Sequence, residues 1–116
     1  MEFDKGLVGG STPLLVLTLL EREDMYGYQI IKELERRSEN AFQFKEGTLY
    51  PVLHRLENQG SVKSYRKAAE NGKERKYYAI TPQGRRQLAA EKAQWEAFTL
   101  SVGRVVGGPA YGFAPA

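Results

Sequence analysis

The stretch that most constrains this chain is Glu46–Gly60, Glu-Gly-Thr-Leu-Tyr-Pro-Val-Leu-His-Arg-Leu-Glu-Asn-Gln-Gly. Leu49, Val52, Leu53 and Leu56 recur at helical spacing and define one apolar face that must meet a core. At 100° per residue, Gly47, Tyr50, Pro51, His54, Arg55 and Asn58 fall on the opposite side. Pro51 suits a first helical turn, where amides have no internal partner, and Gly60 suits the C′ stop. A short helix with one apolar face and one polar, hydrogen-bonding face, followed by a basic hairpin, has the form of a DNA-reading element.

The elements on either side fit that reading. Thr12–Glu23 is expected as a first helix, capped by Ser11 or Thr12, after an N-terminal arm over 1–10. Leu14, Leu15, Val16, Leu17, Leu19 and Leu20 leave it little polar surface, so it is buried nearly all round or shared with a second subunit. A second helix, capped by Asp24, runs to about Arg37 with Gly27, Ile30, Ile31 and Leu34 on one face. Gly27 weakens a helix interior by roughly 1 kcal/mol relative to alanine, which points to close approach to another backbone. Tyr26 and Tyr28 flank it as core, interface or phosphate-contacting residues. Phe42 and Phe44 alternate with polar residues and allow a very short strand.

Strands are expected at Ser61–Arg66 and Arg75–Ile80, joined through Asn71-Gly72, a strong hairpin signal. Thr81-Pro82 then opens a helix to about Val106. Leu88, Trp95 and Val102 are spaced at sevens, and Glu91, Phe98 and Val105 lie three further on. Five of the six are apolar, a heptad-like dimer seam interrupted at Glu91; the same stripe could instead pack on its own domain. A helix of this length outruns a small domain, which favours the seam. Residues 107–116 are uncharged and rich in glycine, proline and alanine, a flexible tail unless Tyr111 and Phe113 dock.

Charge is distributed with the same logic. The net value is +3 over 116 residues, but residues 61–87 carry eight basic side chains against Glu70 and Glu74. Residues 1–44 carry five basic against eight acidic, and 45–60 are balanced. A polyanion partner explains this segregation; a merely soluble hairpin is the plainer alternative. The absence of cysteine excludes disulfides and thiolate chemistry and suits a reducing cytoplasm. The longest apolar run, Pro13–Leu20, is too short to span a bilayer. One histidine, His54, and two distant aspartates, Asp4 and Asp24, make no catalytic constellation or metal set, so neither an enzyme nor a cofactor is expected.

The order helix, helix, reading helix, strand, basic loop, strand, long helix predicts a mostly α (α+β) winged helix-turn-helix over 11–81. It has a two-stranded wing and a C-terminal dimerisation helix over 82–106. In that geometry the third helix enters the major groove and the wing lies along the backbone or minor groove. Lys63, Arg66, Lys67, Lys73, Arg75 and Lys76 would neutralise phosphates, giving affinity without sequence information. Thr48, Tyr50, His54, Arg55 and Asn58 can reach bases or nearby phosphates. Arg55 and Asn58 suit base edges, through paired hydrogen bonds to guanine and adenine. Thr48 and Tyr50 suit phosphate.

Gly-Thr-Leu-Tyr-Pro-Val-Leu-His-Arg-Leu-Glu-Asn-Gln-Gly at 47–60 resembles the signature helix of the PadR-like transcriptional regulators. Met25-Tyr26-Gly27-Tyr28-Gln29-Ile30 resembles their tyrosine-glycine-tyrosine segment, and Arg75–Thr81 with Gly84 their second wing strand and helix start. The match runs in order over about residues 11–100. It implies a homodimeric repressor of the short, single-C-terminal-helix type, released from operator DNA by a small molecule. Leu14, Leu17, Leu88, Trp95, Phe98, Val102 and Val105 would form the dimer interface. In multidrug-binding short members a tryptophan of the dimerising helix stacks on planar aromatic ligands in a pore between subunits. Trp95 is similarly placed, with Phe98, Val102, Leu14 and Val16 able to line the same space; alternatively Trp95 only anchors the interface. The competing reading, from another class, is a winged-helix module that binds protein or hydrophobic ligands without DNA.

Overall fold

Asp4 starts the first helix. In the computed structural model, which describes residues 3–107, its carboxylate accepts from the Gly6 amide at 2.8 Å and caps α1 (Lys5–Arg22). The start expected at Ser11 or Thr12 is therefore overturned, and the arm expected over 1–10 is helical from Lys5 onward. The Ser11 and Thr12 hydroxyls instead donate one turn back, to the Leu7 and Val8 carbonyls at 2.9 and 2.6 Å, which satisfies them inside a helix. Val8, Leu14 and Leu15 pack on the core, so tertiary contacts extend α1 through Gly9, Gly10 and Pro13 despite their poor propensity. Val16, Leu17, Leu19 and Leu20 are all buried within the monomer.

Asp24 caps no helix. Met25–Tyr26 is a short strand, β1, and α2 (Gly27–Arg37) begins at Gly27, where the Gln29 side chain accepts from the Tyr26 amide at 3.1 Å. Gly27 is thus the first helical residue rather than an interior one. Ile30, Ile31 and Leu34 are buried as expected, and Glu33–Arg36 and Lys32–Glu35 pair along the solvent face. The strand expected at Phe42–Phe44 does not form; Phe44 is buried in the core and Phe42 packs beside it.

Helix α3 (Glu46–Asn58) buries Leu49, Val52, Leu53 and Leu56. Gly60, at φ +80°, donates to the Glu57 carbonyl at 3.0 Å, and Ser61 donates to Leu56 at 2.9 Å, closing the helix in a Schellman motif. Pro51 lies inside the helix and beyond its first turn, a correction. Lacking an amide, it frees the Gly47 carbonyl; both residues are exposed, so water can take that bond.

β2 (Val62–Ala68) and β3 (Glu74–Ile80) pair antiparallel from Val62 opposite Ile80 to Ala68 opposite Glu74. β1 joins the other edge of β3, Met25 opposite Tyr78 and Tyr26 opposite Tyr77. The sheet is therefore three-stranded, ordered β1-β3-β2, where two strands were expected. A two-residue strand leaves almost no periodic signal in sequence. At the tip Gly72 adopts φ +82°, and the Asn71 side chain accepts from the Lys73 amide at 3.0 Å.

Helix α4 (Pro82–Val106) is capped by Thr81, whose hydroxyl oxygen accepts from Gly84 at 3.0 Å while its hydrogen goes to the Gly60 carbonyl at 2.6 Å. That double bond ties the start of α4 to the end of α3. Leu88 is in the core; beyond it most of α4 is exposed, with α1 packed against the helix. Among the described residues no helix is long and apolar enough to cross a membrane. Apart from Gly107, the tail expected over 107–116 lies outside the described residues.

Candidate nucleic-acid interface

The apolar stripe of α3 determines which residues remain outside. With Leu49, Val52, Leu53 and Leu56 inward, Thr48, Tyr50, His54, Arg55 and Asn58 are all exposed on one continuous surface. Tyr50 is held in place: its ring lies over Gly27 at the start of α2, so close that a Cβ there would approach the hydroxyl oxygen to 2.5 Å. This is the close approach that Gly27 foreshadowed, made by a side chain rather than a backbone.

The wing divides its cations between two faces. Residues directly opposite in the ladder share a face, and neighbours along a strand alternate. Arg66 opposes Lys76, and Lys67 opposes Arg75. Glu57 of α3 accepts a hydrogen bond from Ser64 at 2.5 Å and lies 3.7 Å from Lys76 Nζ. The face bearing Ser64, Arg66 and Lys76 is therefore the one turned to the reading helix. Lys63, Lys67 and Arg75 occupy the other face, and Lys73 sits in the loop. The six basic residues singled out in the sequence do not form a single patch.

Their electrostatic states differ too. Lys76 faces Glu57, and Arg66 faces Glu74 at 3.7 Å, so on the α3 side carboxylates offset the charge. Rings lie by cations on both faces, Lys76 being 5.5 Å from the Tyr78 centroid, but on the far side Lys67, 5.1 Å from the Tyr77 centroid, and Arg75, 5.5 Å from that of Tyr26, have no carboxylate partner among the described residues. A ring stabilises a cation without cancelling it, so these two keep their long-range attraction for phosphate. Tyr65 stacks on Tyr77 with centroids 5.8 Å apart and donates to Asp24 at 2.5 Å. That hydrogen bond to a carboxylate is the main reason its hydroxyl is pushed up to about 12. The bond also fastens the wing to the turn before β1.

Glu57 is the residue that sequence reasoning passed over. The only signal for Glu57 was an acid at the end of a charge-balanced helix, directly before a basic strand. Lys45, at the N-cap of α3 and exposed, joins the same surface.

The residues assigned to a dimer seam and ligand space also separate. Leu17, Leu88 and Val16 are at most 1 % exposed within the monomer, which leaves none of them to face a second subunit or a ligand. Trp95, Phe98 and Val105 are exposed at 46, 56 and 87 %, whereas Val102 and Leu14 are half-buried. The rings of Trp95 and Phe98 are 6.4 Å apart, and with Leu7 and Leu14 of α1 they line a groove.

Comparison with known proteins agrees with this arrangement. The model of the transcriptional regulator PadR-like family matches residues 16–90. The chain is similar to a transcriptional regulator from Clostridium thermocellum, at 33 % identity and TM-score 0.82 over 89 % of this chain and 100 % of that one. A PadR family transcriptional regulator from Eggerthella lenta is similar at 37 % identity and TM-score 0.76, over 87 % and 86 %. Transcriptional regulator Rv3488 of Mycobacterium tuberculosis is 33 % identical over 79 residues, 68 % of this chain and 70 % of that protein. With its reading helix, wing and long terminal helix in that order, this chain belongs to the PadR-like family of transcriptional regulators.

Proposed function

We propose that this regulator is a homodimeric repressor that binds operator DNA in the cytoplasm and is released by a small-molecule effector. The observation that carries the DNA reading is the continuous exposed face of α3 beside a hairpin rich in cations. Arg55 and Asn58 address base edges, with His54 beside them; Thr48 and Tyr50 address phosphate. Lys73 at the tip and the ring-held Lys67 and Arg75 supply attraction, with Lys63, Arg66 and Lys76 adding to it. The dimer reading rests on α4, which carries Trp95, Phe98, Leu100, Val105 and Val106 exposed along a helix that extends beyond the core. The effector reading rests on the aromatic groove at Trp95 and Phe98. No catalytic step is assigned to the chain.

Promoter binding measured against salt tests the central claim. With about six to ten phosphates neutralised per dimer, log K should fall with log salt at a slope of about −5 to −9. A flat response, or no affinity for the promoter of its own gene, would overturn the repressor reading and favour a module that binds protein or ligand alone. Sedimentation should show a dimer at micromolar concentration, with the two reading helices spaced by about 34 Å, one DNA turn. A stable monomer would remove the seam.

A further inference from the structure

The tip of the wing carries a reactive dipeptide as well as charge. Of the chain's three asparagines, Asn40, Asn58 and Asn71, only Asn71 precedes a glycine. Asn71, Gly72 and Lys73 are exposed and lie beyond the last ladder pair, Ala68 opposite Glu74. The Asn71 side chain folds back along the loop, its Oδ1 accepting from the Lys73 amide at 3.0 Å. Gly72 has φ +82°, and a Cβ built there would meet nothing within 4 Å, so neither a side chain nor a close neighbour crowds this residue. The Gly72 amide donates to the Ala69 carbonyl at 2.9 Å, a bond in a turn outside the ladder that can open without disturbing the strands.

We propose that Asn71 is a self-modification site, converted by attack of the Gly72 amide nitrogen into a carboxylate that loosens the wing's hold on DNA. The nitrogen bonds to Asn71 Cγ and closes a cyclic imide. The Cγ–Nδ2 bond breaks, and ammonia leaves with the proton that the Gly72 nitrogen gives up. Water then opens the imide. Cleavage at the side-chain carbonyl yields aspartate, cleavage at the backbone carbonyl yields isoaspartate, and either product carries a free carboxyl with no change of oxidation state. Negative charge develops on Oδ1 during the attack, and the Lys73 amide already donates to that oxygen. The other two asparagines lack this arrangement. Asn58 is in the last turn of α3, where the Gln59 amide is held by the Arg55 carbonyl at 2.9 Å. At Asn40 the attacking nitrogen would belong to Ala41, whose methyl crowds it. Between Arg66 and Lys76 five cations stand against Glu70 and Glu74. An aspartate carboxyl is ionised at neutral pH, so each conversion removes one of three net positive charges from this segment. The effect on DNA rests on the operator-binding reading; the conversion itself does not.

The test is to age the full chain in mildly alkaline buffer and divide each sample between peptide mapping and promoter retardation. Digestion at lysine releases residues 68–73, in which conversion exchanges an NH2 for an OH and adds a negative charge. That peptide should convert well before those holding Asn40 and Asn58. As it converts, promoter affinity should fall by about tenfold for each modified wing and the salt slope by about 0.9, because one phosphate-neutralising charge is lost. Asn71→Asp should bind that weakly from the start. Asn71→Gln keeps the amide but would have to close a larger ring, so it should hold both its mass and its affinity on ageing. Circular dichroism on each aged sample separates loss of affinity from loss of fold. Conversion at Asn71 no faster than at Asn40 or Asn58 overturns the proposal. So does a converted parent that binds as tightly as fresh protein, or an affinity that falls equally in aged Asn71→Gln. Fresh protein with no affinity for the promoter rejects the repressor reading instead, and fast conversion at Asn71, read by mass, then still upholds the modification site.

Discussion

A methyl group on the Cα of Gly27 would stand 2.5 Å from the Tyr50 hydroxyl oxygen and 2.9 Å from its ring carbon Cζ. One helix thus seats a side chain of the reading helix on the bare backbone of another, and that seat fixes where Tyr50 points. Tyr50 is 42 % exposed, so its ring can swing toward solvent if the seat is filled. Gly27→Ala should therefore cost only about 1 kcal/mol of stability while weakening promoter binding. In a Tyr50→Ala background the same substitution should be nearly neutral. A double-mutant cycle in urea and in DNA retardation measures both; additive losses would show that the two residues do not communicate.

Gly84 presents the opposite case, because its obstacle is backbone. A Cβ there would collide with the Ser61 carbonyl oxygen and approach Ile80 Cγ1 to 2.8 Å. Ser61 is 1 % exposed, is tied to Gln87 through its hydroxyl, and closes the α3 cap through its amide. No rotamer change relieves the clash, so α4 must move away from the reading helix. Gly84→Ala should cost about 3 kcal/mol. Thermal unfolding should register this as a fall in Tm of about 10–15 °C. A shift of a degree or two would mean that α4 is not locked to the α3–β2 corner.

Glu57 joins the reading helix to both wing strands through Ser64 and Lys76. Glu57→Gln keeps an acceptor for Ser64 and removes the charge that offsets Lys76. Because the pair is partly exposed, stability should change by less than about 1 kcal/mol. DNA binding should tighten at low salt, and the salt slope should steepen by about 0.9 for each lysine released to a phosphate. An unchanged slope would place Lys76 away from DNA.

The sequence carried the reading helix, the hairpin and the long final helix because each has a strong periodic or turn signature. Leu49, Val52, Leu53 and Leu56 are buried as their spacing required, and Gly60 takes the positive φ of a C′ residue. What it hid was determined by packing. Glycines and a proline obscured the start of α1, and Met25–Tyr26 is too short to show alternation. The heptad pattern around Leu88 could not distinguish a residue buried by its own domain from one reserved for a partner. Basic composition likewise could not show that strand alternation sends Arg66 and Lys76 to one face and Lys67 and Arg75 to the other.

Glu91 should make stability depend on pH with a definite sign. Burial raises its carboxyl above the ordinary value of 4.5, which the unfolded chain retains. Below that value the group is protonated in both states and contributes no difference. As pH rises through the window from 4.5 to the raised folded value, the unfolded chain releases its proton while the native chain still holds it, so stability falls. Above the window both states are ionised and the loss is complete. Glu91→Gln removes the ionisation, so it should melt higher than the parent at neutral pH and nearly the same at pH below 4.5. Melting curves that stay parallel across the acid range would show that the carboxylate is solvated in both states.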